Sequence, residues 1–255
     1  MLLRTVTARD GLLWVKQGFV WLFRQPWRAF ALVGCYVLTV ALLSLLPLLG
    51  GVLPLFAMQV AMVGFMGASR AIDRGQNFSP LLLLDGLRAP GPRVRNVLML
   101  ALLYVGALVA VLLISSLLDG GMLLRLILFG TRPPVEGIDN DTLRHAALLA
   151  SGAYIPLSAA FWLAPVLISW YGMGPWQALF TSAVIVVRNL PAFFVYATQW
   201  FALFIGIPLL LELLATAAGA GEAVSTLIGL PAAIVLMLAF VLSFYASARS
   251  LLPQD

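Results

Sequence analysis

The spacing of the charged residues constrains this chain most strongly, because it leaves long apolar intervals without a single charge. Between Arg28 and Arg70 there are 41 consecutive uncharged residues, and between His145 and Arg188 there are 42. A helix needs about 20 apolar residues, at 1.5 Å of rise each, to cross about 30 Å of hydrocarbon. Intervals of this kind predict membrane-spanning helices.

The composition agrees with this interpretation. Hydrophobic residues make up 62% of the 255 positions and charged residues 10%, with a mean hydropathy of +1.04. Soluble domains are about 45–50% apolar and about 25% charged, so a soluble globular domain, a disordered chain and a soluble nucleic-acid binder are excluded. We expect an all-α membrane protein that forms a single integral domain over residues 1–255.

Turn-forming residues divide the uncharged intervals into six predicted spans. Pro47, Gly50-Gly51 and Pro54 split the first interval into two spans. The run Gly172-Met-Gly-Pro175 splits the second into one span, ending near Trp170, and a shorter helix from Pro175. The intervals 96–118, 189–211 and 223–248 add one span each.

The basic residues predict the orientation of these spans. If the N-terminus, the 70–95 loop, the 172–190 segment and the C-terminus share a side, 12 of the 15 Lys and Arg residues lie there. The positive-inside rule makes that side cytoplasmic, so we expect a bacterial inner-membrane protein with both termini in the cytoplasm. The large external loop is expected over residues 119–145, with an interfacial helix in its 120–130 run.

A shorter, amphipathic helix is predicted before the first span, from Thr7 to Gln25, with Thr7 and Asp10 spaced as a capping box. Its polar face is expected to carry Arg9, Asp10, Lys16, Gln17, Arg24 and Gln25. Its apolar face is expected to carry Leu12, Val15, Phe19, Leu22 and Phe23. Five tryptophans near the predicted cytoplasmic interface suggest an aromatic belt, namely Trp14, Trp21, Trp27, Trp170 and Trp176.

Similar short stretches precede the other two pairs of spans, at 79–88 and from Pro175 to Asn189. All three end in an arginine shortly before Pro or Asn, and the second span of each pair opens with Gly and Pro close together. We therefore expect three repeats of an interfacial helix plus a helical hairpin, at 7–70, 79–171 and 175–249. The alternative is that Gly, Pro and Arg recur because they are common at membrane boundaries.

Several segments resemble an uncharacterised family of six-span proteobacterial inner-membrane proteins. These are Thr5-Val-Thr-Ala-Arg-Asp-Gly-Leu-Leu-Trp14, Gly18-Phe-Val-Trp-Leu-Phe-Arg-Gln-Pro26, and Ala68-Ser-Arg-Ala-Ile-Asp-Arg-Gly75 with Phe78-Ser-Pro80. The resemblance covers nearly the whole chain, and it implies the six-span topology without an assigned activity.

A second resemblance is more limited. Gly174-Pro-Trp-Gln-Ala-Leu-Phe-Thr-Ser-Ala, with Arg188-Asn-Leu-Pro191, is similar to the membrane domain attached to some glycerophosphodiester phosphodiesterases. This similarity adds no catalytic residues to the analysis.

Groups for chemistry are few. Patterns for zinc proteases, hydrolase elbows and ATP-binding loops are missing from the sequence, so we expect no enzyme, no catalytic residue, no metal and no cofactor. The intramembrane polar candidates are Gln59, Gln199 and Glu212. The glutamines are expected to form interhelical hydrogen bonds or to contact a substrate. Glu212 is a boundary carboxylate, an ion-pair partner or a proton- or cation-linked site.

Three functions remain open. The first is a lipid-interacting or accessory protein that contacts the bilayer's anionic phospholipids or a membrane protein partner, but no nucleic acid, through its cytoplasmic basic residues. The candidate headgroup ligands are Arg24, Arg70, Arg88, Arg188 and Arg249. The second is a transporter of small solutes or lipophiles, with a cavity lined by Gln59, Gln199, Tyr196 or Glu212. The third is a structural subunit of a larger membrane complex.

Overall fold

The computed structural model describes residues 4–47, 49–88, 91–130, 140–219 and 222–252. The described residues are 86% helical and contain no strand, which confirms the all-α prediction. In chain order the helices are α1 (Ala8–Arg24), α2 (Pro26–Ser44), α3 (Leu53–Asp73), a 3₁₀ helix (Pro80–Leu84), α4 (Asp85–Arg88), α5 (Pro92–Asp119), α6 (Met122–Phe129), α7 (Asn140–Phe161), α8 (Ala164–Tyr171), α9 (Pro175–Arg188), α10 (Leu190–Ala217) and α11 (Glu222–Leu251).

Six spans among the described residues are long and apolar enough to cross a membrane, as the sequence predicts. They are α2, α3, α5, α7 together with α8, α10 and α11. The 120–130 run forms the helix α6, and the rest of the predicted external loop from 131 to 139 lies outside the described residues.

The fourth span ends near Trp170, as the sequence predicts, and it consists of two helices. Helix α7 ends at Phe161, and α8 starts at Ala164. Pro165 has no N–H to donate to the carbonyl of Phe161, and its ring would collide with that carbonyl in a continuous helix. The break therefore spares Pro165 this collision and places it in the first turn of α8, where its missing N–H is tolerated.

The chain divides into two compact units. Unit 1 consists of Met1–Val33, Phe65–Pro80 and Val187–Asp255, and unit 2 of Gly34–Gly64 and Leu81–Val186. The single integral domain expected from the sequence stays a prediction.

In unit 1, α1 packs against α10 and α11. Aromatic rings fill the contact: Trp14 meets the edges of Phe193 and Tyr196, with centroids 5.0 and 5.9 Å away, and Trp21 lies 5.4 Å from Tyr245. Gly18 allows close approach of the backbones, because a Cβ at this position would overlap the carbonyl oxygen of Ala239 on α11.

The buried face of α1 matches the sequence prediction only in part, because Val15 and Leu22 are buried as expected and two other residues of the predicted face are not. Its buried residues are Gly11, Trp14, Val15, Gly18, Trp21 and Leu22. Leu12 and Phe23, assigned to the apolar face, are exposed. Trp14 and Trp21 are 3% and 0% exposed, so they belong to the core and the belt prediction is wrong for both, whereas Trp27 and Trp176 are 85% and 65% exposed. The two glycines cause this rotation, because they let the helix backbone contact α10 and α11 directly.

In unit 2, α5 packs against α7 and α8. The ring of Tyr104 meets Phe161 at 5.1 Å, and its hydroxyl lies 3.4 Å from that of Tyr154. Ser182 on α9 joins the broken span from the side: its hydroxyl donates to the carbonyl of Ala159 at 2.8 Å and accepts from the N–H of Leu163 at 3.0 Å.

One contact recurs in the three predicted repeats. In each repeat, a small residue on the short helix lies against a backbone carbonyl on the second span of the repeat before it. For the first repeat, the partner is the second span of the third repeat. The three contacts join Gly18 to Ala239, Gly86 to Val60 and Ser182 to Ala159. Val60 and Ala239 each lie ten residues before the arginine in the last turn of their span. The threefold repeat stays a prediction, and this recurring contact supports it.

Candidate functional site

The segments before and after helix α1 are both hydrogen-bonded to other residues of unit 1. Before it, the N–H of Val6 donates to Oδ1 of Asn189 at 2.8 Å, and Nδ2 of Asn189 donates to the carbonyl of Arg4 at 3.3 Å. After it, Nε2 of Gln25 donates to the carbonyl of Gln76 at 3.0 Å. Asn189 precedes the span α10 and Gln76 follows the span α3, so both ends of α1 meet the polar ends of spans.

The N-terminus of α1 forms as the sequence predicts. The backbone N–H and the hydroxyl of Thr7 both donate to Oδ2 of Asp10, at 2.7 and 2.8 Å. A carboxylate at this position also interacts favourably with the positive end of the helix dipole. These two hydrogen bonds hold the Asp10 side chain at the end of a cleft that continues along α1.

This cleft has a volume of about 410 Å³ and lies between α1 and the end of α11. Its lining residues are Asp10, Leu13, Trp14, Lys16, Gln17, Ala246, Arg249 and Ser250. Nε1 of Trp14 donates to the hydroxyl of Ser250 at 3.0 Å, which holds the indole as the floor of the cleft. Polar and charged side chains therefore stand around a rigid aromatic surface.

Arg249 connects the cleft to a third helix of unit 1. Its Nη1 donates to Oδ1 of Asp73 at 2.8 Å, and the Arg249 side chain remains 43% exposed. Arg70, Arg74 and Arg249 all lie within electrostatic reach of the hydroxyl of Tyr245. Two of the five predicted headgroup arginines, Arg70 and Arg249, are thus brought to one region.

The other three arginines end short helices. Arg24 is the last residue of α1, Arg88 of α4 and Arg188 of α9, and all three are exposed. Next to Arg88, partial burial raises the pKa of the Asp85 carboxyl, and the positive charge of Arg88 opposes that shift. None of these three arginines lines the cleft.

None of the intramembrane candidates is among the residues that line the cleft. Gln59 is only 6% exposed, and the Oε1 atoms of Gln59 and Gln199 have no hydrogen-bond partner among the described residues. These two oxygens therefore do not make the expected interhelical bonds. Glu212 is exposed near the end of α10. Tyr196 is packed in the core of unit 1, with its hydroxyl 2.6 Å from that of Ser243.

Sequence reasoning missed three residues that organise this region. Asp73, Asn189 and Ser250 each bond to a residue more than 150 positions away, so no local pattern marks them. The serine spacing of α11 is the nearest available signal, since Ser243, Ser247 and Ser250 recur on one helix face.

The chain is similar over nearly its whole length to a bacterial protein that has been described as an inner membrane protein. The chain is 40% identical over 254 residues to a Burkholderia thailandensis protein described as a probable inner membrane protein, covering 98% of this chain and 93% of the relative. No protein-family model matches the chain. No solved structure matches it with significance.

Proposed function

The chain belongs to the same family as the probable inner membrane protein of B. thailandensis, and from this premise we propose that it binds phospholipid headgroups at the inner membrane. The proposed role is one of binding, without catalysis. It includes the finer topology expected from the sequence, with both termini and α1 on the cytoplasmic side.

The observation that carries this proposal is the attachment of α1 to span ends on either side of it. A 17-residue helix is about 25 Å long, and both of its flanking segments are hydrogen-bonded to residues just outside spans, Asn189 and Gln76. Because Asn189 and Gln76 lie on the same predicted side of the membrane, a helix held between them does not cross the bilayer. Its exposed cations, Arg9, Lys16 and Arg24, can then extend toward lipid phosphates.

The chemistry of the exposed cations supports phospholipid as the ligand. A basic residue close to an anionic leaflet contributes about 1 kcal/mol to membrane attraction. Guanidinium groups also bind phosphate through two parallel N–H donors, which favours arginine at such positions. Arg24, Arg88 and Arg188 are exposed and end short helices, where their side chains can extend to headgroups.

The test is native mass spectrometry of the protein extracted gently from its own membrane. Replacing Arg24, Arg88 and Arg188 together by Gln should weaken anionic-lipid binding roughly a hundredfold, at about 1 kcal/mol per residue. The matched control replaces Arg125, Arg132 and Arg144 by Gln, removing the same charge from the predicted external side, and should leave binding unchanged.

Other outcomes favour other functions. Equal lipid binding by both triple variants would contradict the proposal. A second polypeptide at fixed stoichiometry would instead support an accessory or structural subunit. A bare monomer that carries neither lipid nor protein would support the transporter alternative and turn attention to Gln199 and Glu212.

A further inference from the structure

The cleft between α1 and α11 carries both signs of charge within one small volume. Lys16 and Arg249 supply cations, and Asp10 supplies a carboxylate. We propose that this cleft is a specific site for an aminophospholipid, whose headgroup contains a phosphate and a primary ammonium. This inference rests on the proposed function and deepens it, because it names one site and one lipid class.

The two cationic side chains of the cleft would bind the phosphate of the lipid headgroup. Lys16 is exposed on α1, and Arg249 uses Nη1 for Asp73 while its side chain remains 43% exposed. Both side chains can therefore donate to phosphate oxygens at the mouth of the cleft. Hydrogen bonds between charged groups are the strong ones, so these two residues should dominate affinity.

The carboxylate of Asp10 would bind the primary ammonium of the lipid headgroup. Both bonds from Thr7 go to Oδ2 of Asp10, and Oδ1 is the oxygen that would accept from a lipid ammonium. A headgroup without an amine would leave this carboxylate facing a phosphate of like charge, which disfavours binding. The cleft thus selects against phosphatidylglycerol by repulsion as well as by a missing bond.

The floor of the cleft is rigid before any ligand arrives. Trp14 is held by its bond to Ser250 and by edge contacts with Phe193 and Tyr196. A preformed site loses little conformational entropy on binding. Leu13 lines the cleft and is 48% exposed, so it offers an apolar contact for the start of an acyl chain.

The test is competition in native mass spectrometry, with the delipidated protein titrated with phosphatidylethanolamine, phosphatidylglycerol and phosphatidylcholine. We expect phosphatidylethanolamine to bind at least about tenfold more tightly than the other two, which is the size of one charged hydrogen bond. Phosphatidylcholine is informative because its quaternary ammonium keeps the charge but cannot donate a hydrogen bond. Glycerophosphoethanolamine, which has no acyl chains, should bind more weakly than the lipid, and equal binding would overturn the lipid as the ligand.

Three variants separate the contributions of the cleft. Asp10→Asn keeps an oxygen that can accept from Thr7 and removes the charge, so it should abolish the preference for phosphatidylethanolamine while binding of phosphatidylglycerol persists or rises. Lys16→Gln should weaken the binding of all phospholipids at this site. Arg9→Gln makes the same charge change on an exposed residue of α1 outside the cleft, so it should leave the preference for phosphatidylethanolamine over the other two lipids unchanged.

The failures of the two proposals are distinguishable. If phospholipids bind, but without preference for the primary amine and without an effect of Asp10→Asn, the aminophospholipid site is overturned while headgroup binding stands. If no phospholipid binds to the wild type, both proposals fall.

Discussion

Arg249 on α11 and Asp73 on α3 form an ion pair, with 2.8 Å between Nη1 and Oδ1, across 176 positions of sequence. The pair joins the last turns of two predicted second spans, one from the first pair and one from the third. Because Arg249 also lines the cleft, the pair fixes where that guanidinium can reach.

Removing this ion pair should have a small effect on stability. Asp73→Asn and Arg249→Gln should each lower the free energy of unfolding by at most about 1 kcal/mol, because the arginine side chain is 43% exposed and solvent screens the pair. Thermal unfolding of both single variants and the double variant in detergent measures the coupling. The two losses should not add, and full additivity would mean that the contact contributes nothing.

A methyl group at Gly18 should separate α1 from α11. Gly18→Ala would overlap the carbonyl of Ala239, so we expect a loss of roughly 1–3 kcal/mol and faster proteolysis within α1. Gly34→Ala is the matched control, since a Cβ there meets nothing within 4 Å and alanine favours helix. Equal behaviour of the two variants would contradict the close approach of the backbones.

The hydroxyl of Ser182 should matter for the broken span. Ser182→Ala leaves the buried N–H of Leu163 without its acceptor, and such an unsatisfied group costs about 1–3 kcal/mol. Ser158→Ala removes an exposed hydroxyl that bonds only to its own helix at Ile155, and it should be nearly neutral. Thermal unfolding of both variants compares their stabilities. A larger loss of stability in Ser158→Ala than in Ser182→Ala would contradict the prediction.

The pH dependence of stability should change when Asp85 is replaced. Burial raises the pKa of this carboxyl above its usual value of 3.8, so the wild type loses the associated stability as the pH rises through the folded-state pKa. Asp85→Asn does not titrate. The melting temperature of the variant relative to wild type should therefore increase between pH 4 and about pH 8, and a constant difference would argue against the raised pKa.

The proposed topology is testable with single cysteines. In a Cys35→Ala background, Arg9→Cys should react with a membrane-impermeant maleimide only after spheroplasts are opened, whereas Arg125→Cys on α6 should react in intact spheroplasts. Labelling of both variants in opened cells is the positive control. The reverse pattern would invert the orientation.

The sequence predicts the number of spans and the position of α1 because both depend on local patterns. Charge-free intervals set the spans, and Thr7 with Asp10 sets the start of α1. The break before α8 was not predictable from proline alone, since Pro165 follows the break whereas Pro156, Pro208 and Pro231 lie inside continuous helices.

The buried face of α1 and the cleft were not predictable in the same way. A hydrophobicity pattern places Leu12 and Phe23 inside, but in a membrane both surroundings are apolar, so hydrophobicity does not distinguish the core from lipid. Gly11 and Gly18 determine the face by allowing backbone contact, and the partners that they contact are distant in sequence. The ion pair to Asp73 is equally non-local.

The packing of α1 on α10 and α11 also sets an order of events during biosynthesis. Helix α1 leaves the ribosome before α10 and α11 are made, so its buried face cannot dock on them until more than 160 further residues have been translated. At about 5–20 residues per second this interval is on the order of tens of seconds. During that time Trp14 and Trp21 must be sheltered by lipid or by the insertion machinery, and a chain that stops before α11 would leave Trp21 without its contact with Tyr245 for as long as it persists.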